Sequence, residues 1–173
     1  MIPSSFEYVA PTSVEDALAA LAEAGDEGKV LAGGQSLLPV LRMRLNAPEK
    51  VIDLGRVEGL RGIREDGDTI VIGAMTTHDE VANSELVKEH AALLAKATAE
   101  VADPQIRHRG TLGGAIVHAD PAGDLGAPVL ALDAEMVIAG PGGERTVAAK
   151  DFFTDLFETA VGDGELLTAI RIP

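Results

Sequence analysis

The sequence predicts an α+β fold organised in two lobes. Apolar residues recur at helical spacing over residues 14–24 and again between residues 85 and 101. Short apolar runs that end at glycines predict strands on either side of these helices. Two turn sequences, Asp66-Gly67-Asp68 and Gly140-Pro141-Gly142-Gly143, each separate two such runs and predict hairpins. Strands, hairpins and helices mixed in a chain of 173 residues favour the α+β class.

Residues 1–54 are expected to form a small N-terminal lobe whose strands run parallel. Its apolar runs predict strands over residues 6–9, 29–32 and 49–54. Helices are predicted over residues 14–24, with Gly25 as the C-terminal cap, and over residues 36–45. Gly55 closes the last strand and marks the expected boundary.

Residues 55–173 are expected to form the larger lobe, a sheet with helices packed on it. Strands are predicted over residues 59–65, 69–72, 135–139, 145–148 and 166–172. Helices are predicted over residues 85–101, with Leu86, Leu93, Leu94 and Ala97 as core contacts, and over residues 125–132. Candidate helix caps are Thr77 or Asp79, with Glu80 suited to a capping box, and Asp124. A loop is expected at residues 103–105 and a short turn at residues 151–153.

The composition limits the possible functions. With 46% hydrophobic residues the chain can form a core, and its formal net charge of −14 argues against nucleic-acid binding because a polyanion would be repelled. The absence of cysteine excludes disulfides, thiolate zinc sites and cysteine-held iron–sulfur clusters in this chain. No apolar run is long enough to span a membrane, and the first residues lack the basic and apolar regions of a signal peptide. A cytoplasmic location is therefore expected.

A glycine pair follows a short apolar run in the stretch Leu31-Ala32-Gly33-Gly34-Gln35-Ser36-Leu37-Leu38-Pro39. We call residues 32–37 the first glycine turn. Glycines allow positive φ and keep side chains away from a ligand, so the backbone N–H groups here can bind an anion such as phosphate. The Ser36 hydroxyl adds a further polar group. The alternative is a helix entry that needs glycine only to reverse the chain.

A second glycine pair occurs in Arg109-Gly110-Thr111-Leu112-Gly113-Gly114-Ala115, and we call residues 110–114 the second glycine turn. Two turns that converge from distant parts of the chain, with their amides turned inward, can hold a pyrophosphate. About four charge-assisted hydrogen bonds contribute roughly 6–12 kcal/mol. Association costs on the order of 4–15 kcal/mol, so ring burial must supply the rest of the affinity for a dinucleotide. The alternative is a strand bend that another backbone passes closely.

Several other signatures of ligand binding and catalysis are absent. The chain has no Rossmann fingerprint, no Walker loop and no serine elbow of the form G-x-S-x-G. The four histidines, His78, His90, His108 and His118, lack the spacing and neighbours of a zinc site, and no catalytic residue is predicted. Basic residues flank both glycine turns: Arg42, Arg44, Arg107, His108 and Arg109. They either compensate the pyrophosphate, dock an acidic partner or form a solvated surface.

Four motifs together resemble those of a known family. They are Ala32-Gly33-Gly34-Gln35-Ser36-Leu37-Leu38-Pro39, Ile72-Gly73-Ala74-Met75-Thr76-Thr77-His78, Thr111-Leu112-Gly113-Gly114 and Ala119-Asp120-Pro121-Ala122-Gly123-Asp124-Leu125. In this order, over residues 6–173, the chain resembles the FAD-binding flavoprotein subunit or domain of molybdenum hydroxylases such as carbon monoxide dehydrogenase and xanthine dehydrogenase. The resemblance implies a two-lobed FAD-binding fold of the vanillyl-alcohol-oxidase (PCMH) type, with FAD between the lobes.

The same resemblance implies which residues contact FAD. The pyrophosphate would lie against Ala32, Gly33, Gly34, Gln35, Ser36, Leu37, Gly110, Thr111, Gly113 and Gly114. Asp124 would accept hydrogen bonds from a ribose or another FAD hydroxyl, and Thr77 would approach the flavin. Val101 and Leu167 would pack on the cofactor. Ala115 stands where the family usually has Asn, so one side-chain hydrogen bond would be lost.

An electron-transfer role also follows from the resemblance. FAD would take electrons from the iron–sulfur clusters of a small subunit, which a molybdenum-cofactor large subunit reduces, and pass them to an acceptor such as NAD or a quinone. The family continues beyond the position of Pro173 into a smaller C-terminal domain, so weaker FAD retention is expected of this chain. Two alternatives stay open on the residues alone: a flavin or nucleotide carrier without an electron partner, and an interaction domain without a ligand.

Overall fold

The computed structural model describes all 173 residues, Met1–Pro173. Its α-helices are α1 (Val14–Ala24), α2 (Leu37–Arg42), α3 (His78–Asn83), α4 (Glu85–His90), α5 (Ala92–Glu100), α6 (Pro104–Arg107), α7 (Leu112–His118), α8 (Gly126–Ala131) and α9 (Ala149–Phe152). Its strands are β1 (Glu7–Val9), β2 (Gly28–Leu31), β3 (Lys50–Asp53), β4 (Ile63–Asp66), β5 (Thr69–Gly73), β6 (Glu135–Gly140), β7 (Gly143–Ala148), β8 (Phe153–Asp155), β9 (Glu158–Thr159) and β10 (Leu166–Ile172). Even α1, with 11 residues, falls short of a membrane-spanning helix.

A small parallel sheet in the order β1–β3–β2 forms the N-terminal part of the fold. Helix α1 begins at Ser13, whose hydroxyl accepts a hydrogen bond from the Asp16 N–H, and it ends at Gly25, where φ is +54°. The parallel strand arrangement expected for this part is confirmed. A buried cluster joins Ala17 and Ile52 to Leu166 of β10, so this part shares a core with the rest of the chain. The division into lobes at residue 55 stays a prediction.

A five-stranded antiparallel sheet in the order β4–β5–β10–β6–β7 forms the larger part. Both predicted hairpins are present, as β4–β5 and β6–β7. One core of 20 buried residues joins this sheet to helices, with Ile72, Ile138 and Ile170 on strands and Leu94 on α5. A register shift between Leu167 and Ala169 interrupts the pairing of β10 with β6.

The helix predicted over residues 85–101 is in fact two helices, α4 and α5. They separate at Ala91, where φ is −138° and ψ is +51°. Ala91 is neither glycine nor proline, so no residue type marks the break. Leu94 is fully buried as predicted, but the predicted core residue Leu93 is 46% exposed. The buried side of α5 is formed by Leu94, Ala95 and Thr98 instead.

The strand predicted over residues 59–65 begins only at Ile63. Short polar segments account for further differences from the predicted elements. Residues 103–105 belong to a helix entry and not to a loop, because the Asp103 carboxylate accepts from the Ile106 N–H and caps α6. The predicted turn at residues 151–153 contains the end of α9. Asp124 does not cap α8: the cap position is Leu125, which has no capping side-chain hydrogen bond.

Candidate cofactor-binding site

The two glycine turns lie against each other. A Cβ atom on Gly33 would collide with the carbonyl oxygen of Arg109 and lie 2.7 Å from Cα of Gly110. A Cβ atom on Gly114 would lie 3.3 Å from that of Ala32. Glycine is required at residue 33 because the opposing atoms belong to the backbone and cannot rotate aside. The structure therefore brings the two turns together, as the sequence predicts.

The first glycine turn contains six consecutive backbone N–H groups, those of residues 32–37, that donate to no protein atom. Its carbonyl groups do accept hydrogen bonds: Leu38 N–H donates to the Gly34 oxygen at 3.1 Å. Gly34 has φ +80°, in the left-handed region that favours glycine. A row of free N–H groups in such a turn binds anions without needing a basic side chain.

The second glycine turn is different, because most of its N–H groups already donate within the protein. The pairs are Gly110 to the Ile106 carbonyl, Leu112 to the Thr76 carbonyl, Gly113 to the Ala74 carbonyl and Gly114 to the Thr111 hydroxyl. Only the Thr111 N–H has no acceptor. The turn is the capped start of helix α7 and not a strand bend. Of the N–H groups in this turn, only that of Thr111 is free to donate to a ligand, and contact of the second turn with a diphosphate stays a prediction.

A segment after β5 holds the second glycine turn in place. Thr77 and Thr111 lie opposite each other in an isolated antiparallel bridge, and the His78 N–H donates to the Gly110 carbonyl at 2.9 Å. A Cβ atom on Gly113 would lie 2.5 Å from that of Ala74. The two segments thus pack in close backbone contact, which a side chain at residue 113 would prevent.

The glycine turns line a cleft of about 970 Å³. Its walls include, of the residues predicted to contact a cofactor, Ala32, Gly33, Gly34, Gln35, Ser36, Leu37, Gly110, Thr111, Gly113, Gly114 and Leu167. Lys29, His78, His118 and a loop over residues 161–165 also line the cleft, and the sequence does not predict them as cofactor contacts. Apart from His78, which ends the motif at residues 72–78, these residues belong to no motif, and only the fold brings them to the cleft.

Thr77, Val101 and Asp124 do not line this cleft. The Thr77 hydroxyl accepts from the Glu80 N–H, and the Glu80 carboxylate accepts from the Thr77 N–H at 2.9 Å, which is a capping box at α3. Asp124 is exposed and makes no side-chain hydrogen bond. Contact of these three residues with a cofactor stays a prediction.

The basic residues near the glycine turns do not line the cleft either. Arg44 donates to the Ile2 carbonyl at 3.2 Å, and Arg107 donates to the Val101 carbonyl at 2.8 Å. Arg42 and Arg109 are exposed. Compensation of an anion in the cleft therefore depends on backbone N–H groups, with Lys29 as the only Lys or Arg in the wall.

His78 is a buried histidine in the cleft wall. The residue is 4% exposed, and its Nδ1 atom has no hydrogen-bond partner. Burial, together with the positive charge of Arg107, lowers the pKa of His78 to about 4. A Cβ atom on Gly110 would lie 2.8 Å from Cδ2 of this ring, so the neutral imidazole packs directly on the second glycine turn.

An ion pair fixes the loop over residues 161–165. The Arg145 guanidinium donates to both carboxylate oxygens of Glu165, at 3.0 Å and 2.6 Å, and the Gly162 N–H donates to Glu165 Oε2 at 2.7 Å. Arg145 and the Gly162 N–H hold the pKa of Glu165 at about 2. The ion pair joins this wall of the cleft to strand β7.

A second cleft, of about 1110 Å³, lies between α1 and residues of β4, β5, β6 and β10. It contains neither glycine turn. Two of its arginines are already paired, Arg61 with Glu80 at 2.8 Å and Arg171 with Asp66 at 3.1 Å. Although this cleft is larger, the row of free N–H groups favours the first as the anion site.

Comparison with known proteins gives the family and the fold. Residues 4–173 match the family described as the FAD binding domain in molybdopterin dehydrogenase. The chain is 47% identical over 173 residues to the carbon monoxide dehydrogenase medium chain of Hydrogenophaga pseudoflava, covering 100% of this chain and 60% of the relative. It is 42% identical to the 6-hydroxypseudooxynicotine dehydrogenase complex subunit alpha of Paenarthrobacter nicotinovorans, covering 100% of this chain and 58% of that relative.

A solved structure shows the same fold. Carbon monoxide dehydrogenase from Hydrogenophaga pseudoflava, in a form that lacks the Mo-pyranopterin moiety of its cofactor, contains a chain that superposes with a TM-score of 0.98 at 47% identity. The match covers 100% of this chain and 60% of that one. The predicted α+β FAD-binding fold is confirmed. The chain thus spans about three fifths of the length of the relatives it matches.

Proposed function

The chain belongs to the family of FAD-binding domains in molybdopterin dehydrogenases, and from this we propose that it is the FAD-binding electron-transfer component of a molybdenum hydroxylase. Its cofactor is FAD. We propose that the reductant is the iron–sulfur small subunit, itself reduced by a molybdenum-cofactor large subunit, and that a cytoplasmic acceptor such as NAD or a quinone takes the electrons. The relatives are named as chains or subunits of dehydrogenases, which supports a role within a larger complex.

The cleft fits the cofactor at its diphosphate. The observation that carries the proposal is the row of free N–H groups at residues 32–37, which lies where the two glycine turns meet. We propose that these groups, with the Thr111 N–H, hold the diphosphate. Leu167, buried in the wall, would pack on the cofactor. We keep Thr77, Val101 and Asp124 as proposed contacts outside this cleft.

The residues of the chain have a binding role in this function and not a catalytic one. FAD, when bound, supplies the chemistry that accepts and releases electrons. The first glycine turn binds and orients the diphosphate through backbone dipoles. His78 supports the second turn as a neutral ring, and the Arg145–Glu165 pair fixes the wall at residues 161–165.

Binding is tested by replacing one glycine in the cleft and one outside it. Gly34 and Gly59 have φ of +80° and +81°, so alanine is in a disfavoured backbone conformation at either residue. A Cβ atom on Gly34, which lines the cleft, would lie 2.9 Å from the Leu38 side chain, whereas one on Gly59 meets nothing within 4 Å. After incubation with FAD and gel filtration, the original protein and Gly59→Ala should retain yellow flavin absorbance, and Gly34→Ala should lose most of it. Equal retention by both variants would contradict the proposed site.

Electron transfer is tested separately, by anaerobic mixing of the FAD-loaded protein with a reduced iron–sulfur subunit of a molybdenum hydroxylase. Loss of the visible flavin absorbance is the expected result. If FAD binds but its absorbance stays unchanged with a subunit shown to form a complex, the chain is a flavin-binding module without this electron partner.

A further inference from the structure

The cleft has few side chains on which a ring can stack. The whole chain contains four Phe, one Tyr and no Trp, and none of these residues lines the cleft. The two imidazole rings in the wall are those of His78 and His118. His78 is 4% exposed and packs on Gly110, so it has no free face. His118 is exposed, and it is therefore the one aromatic ring in the wall that a ligand can cover.

His118 lies close to the place where the glycine turns meet. It is the last residue of α7, and Gly114 lies four residues before it on the same face of the helix. Four residues of helix span about 6 Å. Because Gly114 faces Ala32 of the first turn, His118 lies about one helical turn along α7 from the place where the two turns meet. A ribose or ribityl group attached to a diphosphate can bridge that distance.

Phe157 supports His118 from outside the cleft. The two ring centroids are 5.4 Å apart, with an angle of 57° between the planes. The Phe157 N–H donates to the Ala119 carbonyl at 3.2 Å, which fastens the turn between β8 and β9 to the end of α7. Phe157 has φ +58° and Ala119 has φ +50°, both in the left-handed region that such residues rarely adopt. Strained residues of this kind persist where the surrounding contacts require one conformation, and they cluster at ligand sites.

From these contacts we infer that His118, backed by Phe157, is the stacking surface for a planar heterocycle of the bound cofactor. The inference rests on the proposed FAD site, because the position of His118 matters only if the diphosphate lies at the glycine turns. Stacking on His118 would bury one face of a cofactor ring and so supply part of the affinity that the diphosphate contacts alone do not provide. FAD contains two heterocycles, the flavin and the adenine, and both have the flat π face that an imidazole can cover.

The test uses fragments of FAD that separate the two rings. FMN contains the flavin without adenine, and ADP contains adenine without flavin. We expect His118→Ala to weaken FAD binding about tenfold, measured by isothermal titration calorimetry, and to weaken the binding of either FMN or ADP by a similar factor. His118→Phe, which restores a planar ring, should recover most of the affinity. His90→Ala is the matched control, since His90 is half-exposed and lies outside the cleft.

The outcomes separate this inference from the proposed function. If the original protein binds no FAD, the proposed function fails and the stacking role fails with it. If the original protein binds FAD and His118→Ala binds it equally well, the stacking role alone is overturned. A loss that is equal for FMN and ADP also overturns it, because one ring surface covers one heterocycle.

Discussion

At the scale of single residues, the lack of a side chain at Gly33 allows the two glycine turns to approach closely. A methyl group there would meet the Arg109 carbonyl and Cα of Gly110, both of which are backbone atoms. We expect Gly33→Ala to lower the free energy of unfolding by about 1–3 kcal/mol, as overpacking does, and to weaken FAD binding because the turns move apart. Unfolding in urea and calorimetric titration with FAD measure the two effects.

Gly142→Ala is the control for this substitution. Gly142 lies in the hairpin between β6 and β7, and a Cβ atom there meets nothing within 4 Å. The control should keep both its stability and its FAD affinity. Equal stability and affinity of the two variants would show that the turns do not depend on this close approach.

His78 makes stability depend on pH. Its pKa is about 4 in the folded protein, because of burial and Arg107, and 6.5 is its ordinary value. Between these values the unfolded chain binds one more proton than the folded protein. The contribution of the neutral His78 ring to the free energy of unfolding is therefore fully present above about pH 6.5. It is lost as the pH decreases toward 4, a change of about 3 kcal/mol in total. His78→Asn should remove this part of the pH dependence of urea unfolding, whereas His90→Asn should retain it. An unchanged pH profile in His78→Asn would contradict the burial of a neutral ring.

At the scale of elements, helix caps support the glycine turns. The Thr111 hydroxyl accepts from the Gly114 N–H at 3.1 Å and caps α7, and the Ser13 hydroxyl caps α1 in the same way. Thr111→Ala and Ser13→Ala should each cost about 1 kcal/mol of stability. Only Thr111→Ala should also weaken FAD binding, since α7 carries the second glycine turn. Equal FAD binding by the two variants would contradict the role of the α7 cap in the cofactor site.

The Arg145–Glu165 pair supports a wall of the cleft. Glu165→Ala removes the acceptor of the Gly162 N–H, so amide hydrogen exchange at Gly162 should become faster. Because its pKa is lowered from 4.5 to about 2, Glu165 contributes stability above about pH 4.5 that is lost as the pH falls toward 2. Glu85→Ala, which removes an exposed pair with Lys88, should leave the exchange at Gly162 unchanged. Slow exchange at Gly162 in Glu165→Ala would rule out this support.

The elements that the sequence predicts well have a local cause. Helix α1 has helical spacing, a Ser13 cap and Gly25 at its end, and the predicted bounds are confirmed. The break at Ala91 has no such cause, because tertiary packing and not a glycine or proline sets its dihedral angles. The predicted loop at residues 103–105 is wrong, although Asp103 followed by Pro104 at the first helical position is a helix start signal.

At the scale of the whole molecule, the glycine pairs and their convergence could be predicted because two conspicuous sequences needed the same explanation. Which of their N–H groups already donate within the protein could not be predicted. Gly113 donates to Ala74, a residue from another part of the chain, and only the folded arrangement reveals that pairing. The presence of His118 and of the loop at residues 161–165 in the cleft wall could not be predicted either, because only the fold brings them there. Folding thus leaves the N–H groups of one turn free and pairs most of those of the other.

The most direct test of this account is a titration of the ¹⁵N-labelled protein with FAD, followed by the chemical shifts of its backbone amides. The account predicts that the largest changes occur at residues 32–37 and at Thr111, whose N–H groups have no acceptor in the protein. The amides of Leu112 and Gly113, which already donate to the backbone, should change less. Binding of FAD with unchanged shifts at residues 32–37 would contradict the central claim.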